Sequence, residues 1–226
     1  VPERGRITVL IPAKNEAANI GEVILGALRH ADDVLVADGG STDGTGARAL
    51  EAGARVIEDE GRGKGRAIRG ALPHLRGDIT VLMDADGSHD PEDIPRLVAP
   101  ILEGAADHVS GSRLLGGSSE LHGGFDEWAR LAGSSFITAC INKRYRVRLS
   151  DSQNGFRAIR TDVLRRLVLR SRHTTIEQEM IVKTLRLGLR VAEVPTHEYP
   201  RRSGSSHISV WRDSPRYLLS LIQLML

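Results

Sequence analysis

Cysteine is almost missing from this chain: Cys140 is the single example in 226 residues. No internal disulfide can form, so burial and hydrogen bonding must hold the fold, and a reducing, cytoplasmic setting is expected. Aromatic residues are scarce at 4%, which argues against stacking platforms for single-stranded nucleic acid. Charge of one sign is missing too. The 31 Lys and Arg and 29 Asp and Glu leave a formal +2, so no strong field draws a polyanion and no nucleic-acid partner is expected. No apolar run reaches the ~18 residues of a membrane span, and no secretory signal pattern is visible. Internal repeats and clear linkers are absent as well. What remains is enough chain for one domain with a substantial core.

The first half alternates strand and helix patterns. Ile7–Ile11 is a short apolar run, expected to end at Pro12. Ile20, Val23, Ile24, Ala27 and Leu28 then fall at helical spacing. Val34–Ala37, Arg55–Glu58 and Ile79–Met83 supply further strands, the last expected to be central because its unbroken apolar run needs cover on both faces. This alternation predicts a three-layer α/β/α domain around a mostly parallel sheet, with ligands beyond the carboxyl ends of the strands. Polar residues stand at those ends: Lys14, Asn15 and Glu16, then Asp38, then Asp84 and Asp86.

The second half is less regular. Asp90 and Pro91 start a helix that Pro95 and Pro100 should kink or break. Leu114–Phe125, rich in Gly and Ser, reads as a mobile loop that closes over ligand. Helices are expected over Glu127–Lys143, after a cap at Thr161 or Asp162 with Val163, Leu164, Leu167 and Val168 on one face, and over Ile176–Leu187 up to Gly188. Arg190–Val194 adds a strand. The apolar end, Tyr217–Leu226, reads as a core-facing helix, as a membrane-surface helix preceded by Arg212 and Arg216, or as the beginning of a membrane span.

Asp84 and Asp86 carry the chemistry most visibly. They lie two apart, so an extended backbone would point both carboxylates one way. Two close carboxylates repel and need a cation. A hard divalent metal, Mg²⁺ or Mn²⁺, accepts such oxygens and keeps positions for phosphate. An Asp-x-Asp triplet alone is as compatible with a solvated acidic turn. Glu60–Arg66 is glycine-rich but is no P-loop: Gly65 stands where Ser or Thr is needed, and Asp59 where Gly is. Lys64 reads two ways, as a neutraliser of phosphate or carboxylate or as a solubilising surface lysine. Glu177 and Glu179 lie on a predicted helix and read as a solvated face, with approach to the site as the alternative.

In order along the chain, Ile11-Pro-Ala-Lys-Asn-Glu16, Ala37–Thr45, Gly63-Lys-Gly-Arg-Ala67 and Met83-Asp-Ala-Asp86 resemble the motifs of family 2 glycosyltransferases with the GT-A fold. His89, Pro91 and Glu92, Gly111–Arg113, Asp151–Arg157, Glu193–Pro195 and the Arg201–His207 stretch are similar to the dolichyl- and polyprenyl-phosphate sugar synthases within it. Gly39, Ser88 and His207 depart from the usual acidic residue, Gln and Lys. The resemblance covers about residues 7–210 and implies a catalytic domain over 1–210, with a membrane-proximal or amphipathic segment over 211–226.

It further implies an inverting, metal-dependent hexosyl transfer from a GDP- or UDP-sugar to a polyprenyl or dolichyl phosphate. Pro12, Ala13, Glu16, Asp38, Lys64, Asp84, Ala85 and Asp86 would bind the nucleotide-sugar, with Asp84 and Asp86 on the metal. Arg113, Arg130, Ser134, Arg201 and His207 would bind acceptor phosphate. Asp86, Arg113 and Asp151 would be catalytic: a phosphate acceptor is already anionic, so Asp151 would orient arginines there and would be a base only for a hydroxyl acceptor. Peripheral contact at the cytoplasmic face of a membrane follows from a lipid acceptor. A soluble hydroxyl acceptor is the nearest alternative. A nucleotidylyltransferase ranks lower, because Pro12–Glu16 lacks that class's glycine-rich opening loop.

Overall fold

The computed structural model describes residues 5–59, 61, 63–119, 125–201 and 210–225, of which 125–130 and 210–216 are described as backbone only. The chain runs β1 (Ile7–Ala13), α1 (Ile20–Leu28), β2 (Asp33–Asp38), α2 (Thr45–Glu51), β3 (Arg55–Glu58), α3 (Lys64–Ala71) and β4 (Ile79–Leu82). It continues through α4 (Ile94–Leu102), β5 (His108–Ser112), α5 (Arg113–Gly116), α6 (Phe125–Tyr145), β6 (Arg157–Arg160), α7 (Thr161–Arg166), α8 (Ile176–Arg186), β7 (Val191–Pro195) and α9 (Val210–Met225).

The seven strands form one sheet in the order β3-β2-β1-β4-β6-β5-β7. All neighbours are parallel except β6, which runs against both β4 and β5. β4 is thus the middle strand, as its apolar run requires. Period-two alternation sorts the core. Ile7, Val9 and Ile11 of β1 face α1, α2 and α4, whereas Leu10 joins α3, α7 and α8 on the opposite face. Each fully buried Leu or Ile contributes about 1.5–3 kcal/mol by leaving water. A third cluster seats α9 on α6 and α8 through Ile137, Ile141, Ile181, Val182, Leu221 and Leu224.

Several sequence expectations change. β1 passes through Pro12, which pairs with Ala37 of β2. Leu10 O accepts from Met83 N on the β4 side. Pro12, two residues on, faces the same side beyond the end of β4, so its missing N–H costs no ladder bond. Thr161 does not cap α7, whose N-cap is Arg160; the Thr161 hydroxyl instead meets that of Thr80 at 2.8 Å. Val168 is 70% exposed, because the helix has ended before it.

Asp90 caps a separate turn at Pro91–Asp93, and α4 restarts after it with Pro95 in its first turn and Pro100 inside it. Leu114–Phe125 is not wholly loop. α5 takes its first residues, and Ser118 and Ser119 are strapped to Glu198. Residues 120–124 lie outside the described ones. β5 and β6 were not legible as strands. His108, Ser110 and Arg157 interrupt their apolar pattern, yet all three are buried.

Candidate active site

The site forms where β4 ends and the chain turns. Asp86 Oδ1 accepts from Ser88 N at 3.0 Å and Ser88 Oγ at 2.7 Å, which folds Asp84–Ser88 into a tight turn. The backbone is therefore not extended between the two aspartates. Asp84 turns toward α3, and Asp86 toward Arg201, whose Nη2 lies 3.1 Å from Asp86 Oδ2. Asp84 N donates to His89 Nδ1 at 3.1 Å, so the neutral ring carries its proton on Nε2. Burial depresses His89 against the pull of Asp84 and Asp86. The ring stacks on Phe156 with centroids 4.8 Å apart.

Lys64 opens α3 and joins two elements distant in sequence. Its Nζ lies 2.6 Å from Asp84 Oδ1 and 2.8 Å from Glu177 Oε1 on α8. Burial would push this ammonium down, but the two carboxylates outweigh it and hold Lys64 above the ordinary lysine range. Burial would raise Asp84 likewise, and Lys64 first, then His89, hold it well below the carboxylate range. The surface reading of Lys64 is thereby excluded. So is the solvated reading of Glu177 and Glu179, both almost fully buried. Glu179 accepts the Arg170 and Ser171 amides and pairs with Lys183.

α8 is packed on several sides, so its carboxylates can be held inside by fixed donors. Arg157 reaches the carbonyls of Glu177 and Asn154; burial pulls its guanidinium down to about 10. Gly155 passes so close that a Cβ there would lie 2.9 Å from both Asp84 Oδ2 and Lys64 Nζ. Any larger residue would displace this ion pair.

On the neighbouring side, Asp151 grips Arg113 in a fork. Arg113 Nε lies 2.6 Å from Asp151 Oδ2, and Nη2 lies 3.1 Å from Oδ1. Burial would raise Asp151, but the Arg113 charge wins and lowers it. Glu193 of β7 fixes the Asp151 loop by accepting the amides of Ser150 at 2.7 Å and Asp151 at 2.6 Å. Glu198 completes the arrangement, at 3.4 Å from Arg113 Nη1 and 3.1 Å from Ser118 Oγ. The segment carrying Glu198 also bonds Ser88 O through Tyr199 N. Ser134 lies one turn before Thr138 on α6, and Thr138 Oγ1 meets Ser152 Oγ at 2.8 Å. Arg130 belongs to α6 as backbone, and His207 lies outside the described residues.

The third wall comes from the ends of β1 and β2. Asp38 Oδ1 accepts from Ser41 N at 3.0 Å and Ser41 Oγ at 2.5 Å. Ala13 O accepts from Gly39 N, and Glu16 N donates to Thr45 Oγ1, so the two strand-end loops are laced together. Glu16 is raised, chiefly by burial, against the hydrogen bond from Asn19. Pro12 and Ala13 form the floor at the strand end, and Ala85 is packed into the core behind the turn.

The structure thus gathers Lys64, Asp84, Asp86, Arg201, Arg113 and Asp151 at the carboxyl edge. It adds Glu177, Glu193 and Glu198 to the working set. Glu193 stood in a recognisable motif and Glu177 on a helix that could approach the site, but nothing in the sequence pattern singled out Glu198 over ordinary surface glutamates. Among the described residues, no three His, Cys, Asp or Glu side chains converge as a metal cage. A cleft of about 820 Å³ between α8 and α9 stands apart from the strand ends, and its Lys183 and Arg186 are committed to Glu179 and to the Leu224 carbonyl.

Comparison with known proteins agrees with this geometry. An undecaprenyl-phosphate mannosyltransferase of Micrococcus luteus is 35% identical over 224 residues, covering 90% of this chain and 88% of that protein. Glycosyltransferase AglJ of Haloferax volcanii is 33% identical over 207 residues, 91% of this chain and 67% of that protein. The low-salt glycan biosynthesis hexosyltransferase Agl6 of the same organism is 31% identical, and the match spans 52% of its length. Among solved structures, glucosyl-3-phosphoglycerate synthase of Mycobacterium tuberculosis with Mn²⁺, UDP and glucosyl-3-phosphoglycerate superposes with a TM-score of 0.78 at 25% identity. That match covers 98% of this chain and 80% of the other. The three-layer sheet is accordingly a GT-A fold. The model of glycosyl transferase family 2 matches residues 8–168, and the chain belongs to that family.

Proposed function

We propose that the chain transfers a hexosyl group from a nucleotide-diphosphate sugar to a polyprenyl phosphate, inverting the anomeric centre. The observation that carries the acceptor class is the Asp151–Arg113 fork. Both Asp151 oxygens are engaged by Arg113, and the carboxyl is held below its ordinary range. Such a group is a poor general base for a hydroxyl. A phosphate acceptor needs none, since it is already anionic near neutrality. Its oxygen attacks the anomeric carbon as the bond to the departing diphosphate breaks on the opposite side. Arg113, oriented by Asp151 and Glu198, contributes charge-assisted contacts to the acceptor. Arg130, Ser134 and His207 are assigned to the same acceptor on the family resemblance alone; Arg201, expected there too, rests on Asp86 and is assigned to the donor side instead.

The donor side follows from the strand ends. Pro12, Ala13, Glu16 and Asp38 would hold the nucleoside. Lys64, fixed by Asp84 and Glu177, would meet the diphosphate or sugar. The buried Glu177 Oε2, without a hydrogen-bond partner among the described residues, is an acceptor for a sugar hydroxyl. Asp84 and Asp86 offer hard oxygen donors that suit Mg²⁺ or Mn²⁺ when phosphate oxygens and water complete the shell. The guanidinium already resting on Asp86 is consistent with a cation at this edge. When bound, the metal would neutralise charge on the leaving diphosphate.

The solved structures with phosphoglyceric acid favour one rival, a soluble hydroxyl acceptor. A donor screen with GDP- and UDP-sugars separates the two. Nucleotide release should rise on adding polyprenyl phosphate, with labelled sugar extracted into apolar solvent. Release stimulated by phosphoglyceric acid, with label left in water, would overturn the lipid reading. In the same assay Asp86→Asn should lose about a hundredfold or more in rate while melting near wild type.

A further inference from the structure

Asp86 cannot offer a metal both of its oxygens on equal terms. Oδ1 accepts two hydrogens from Ser88, the amide at 3.0 Å and the hydroxyl at 2.7 Å. Oδ2 is the oxygen left for a cation, and the Arg201 guanidinium stands on it at 3.1 Å. The Asp86 carboxylate is almost buried, while Arg201 keeps about a third of its side chain in water. Arg201 also interacts electrostatically with Glu16 and Asp84. One guanidinium therefore balances carboxylates from the loop after β1 and from two positions of the turn after β4. The neighbouring lysine cannot substitute, because Lys64 is committed to Asp84 and Glu177.

We propose that Arg201 is the resident counter-cation of the donor site, and that a divalent metal must displace it from Asp86 Oδ2 before binding. The inference rests on the metal-assisted reading above and deepens it. A dication and a guanidinium sharing one carboxylate oxygen repel strongly in a partly buried site. Metal entry therefore frees Arg201 from Asp86, and the incoming diphosphate offers it an anion for which a planar fork is well shaped. Metal and diphosphate then favour one another. Each relieves the competition that the other faces, and the coupling must be reciprocal.

The test is Mn²⁺ binding to the 226-residue chain, with and without inorganic pyrophosphate, read from the loss of the free-ion electron paramagnetic resonance signal beyond that of a protein-free control at the same pyrophosphate concentration. Without pyrophosphate, Arg201→Ala should bind Mn²⁺ about two- to fivefold more tightly than wild type, the equivalent of losing one partly exposed ion pair. Arg201→Gln, which keeps a donor but no charge, should do the same. Pyrophosphate should strengthen Mn²⁺ binding less in either variant than in wild type. Melting curves check that the variants fold. Mn²⁺ binding to both variants that is no tighter than to wild type overturns the proposal. Asp86→Asn separates the two levels of inference. If it binds Mn²⁺ as wild type does, the metal site itself is misassigned. If it loses Mn²⁺ while the Arg201 variants match wild type, only the role of Arg201 fails.

Discussion

At the scale of single residues, Lys64 is the part whose loss should be felt most broadly. It neutralises one carboxylate from the turn after β4 and one from α8. Removing one member of a buried charge set leaves the others uncompensated, at a cost of about 3–5 kcal/mol. The lower end applies here because the Asp84 side chain is 32% exposed. Lys64→Met should therefore lower the urea midpoint sharply. Adding Glu177→Gln should recover part of the loss, since one stranded charge disappears. A double-mutant cycle with no coupling between the two positions would show that the contact contributes little. Lys64 also shows where sequence reading stops. A glycine-flanked lysine carries no mark of its partners, and its buried state depends on a carboxylate more than a hundred residues away. Asp84 and Asp86 were legible because two acids directly after an apolar run are unusual. Asp151 was legible, but its clasp on Arg113 was not.

At the scale of elements, strands and helices with clean periodicity were readable, and those that mixed polar residues into the core were not. Ile79–Leu82 announces itself, whereas β5 hides behind His108 and Ser110, buried polar groups that only tertiary contacts explain. α9 was legible only as a choice between readings, and the structure bears out the core-facing one for part of its surface. Leu221 and Leu224 pack against α6 and α8, while Leu218, Leu219 and Ile222 are left exposed. Among the described residues no helix is long and apolar enough to cross a membrane. An exposed leucine and isoleucine face suits shallow contact with the interface. Leu219→Asp with Ile222→Asp should reduce flotation with anionic liposomes several-fold without shifting the melting temperature. These positions lie outside the packed face, so the double variant tests contact without unfolding the helix. Equal flotation of wild type and variant would remove α9 from the membrane model.

At the scale of the whole molecule, stability should depend on pH through histidines held inside. His108 lies on β5 with no exposed surface, Nδ1 at 3.1 Å from Thr184 Oγ1 and Nε2 without a partner among the described residues. Burial, then the nearby Arg157 charge, depress its proton affinity well below the ordinary range. The unfolded chain then binds the proton first. Stability from this group is complete above the ordinary histidine pKa of about 6.5 and falls as pH drops below it, by at most about 1.4 kcal/mol per pH unit. His108→Gln should be less stable than wild type at pH 8 yet lose less between pH 7 and pH 5, as followed by denaturant melts. Parallel pH profiles for the two proteins would exclude His108 as the source.

The reversed strand β6 has a consequence for how competence is acquired during folding. Arg157 pairs with Leu82, so the segment just before β6 is delivered against the turn just after β4. The Lys64–Glu177 and Arg113–Asp151 contacts likewise join distant stretches of chain. Contacts of such separation close late, because a long loop must be ordered before they are rewarded. A partly folded chain with β1 to β3 in place would hold the first strand-end loops but none of these ion pairs. Recovery of catalysis on refolding should therefore lag the burial of the β1 core and coincide with the docking of β6.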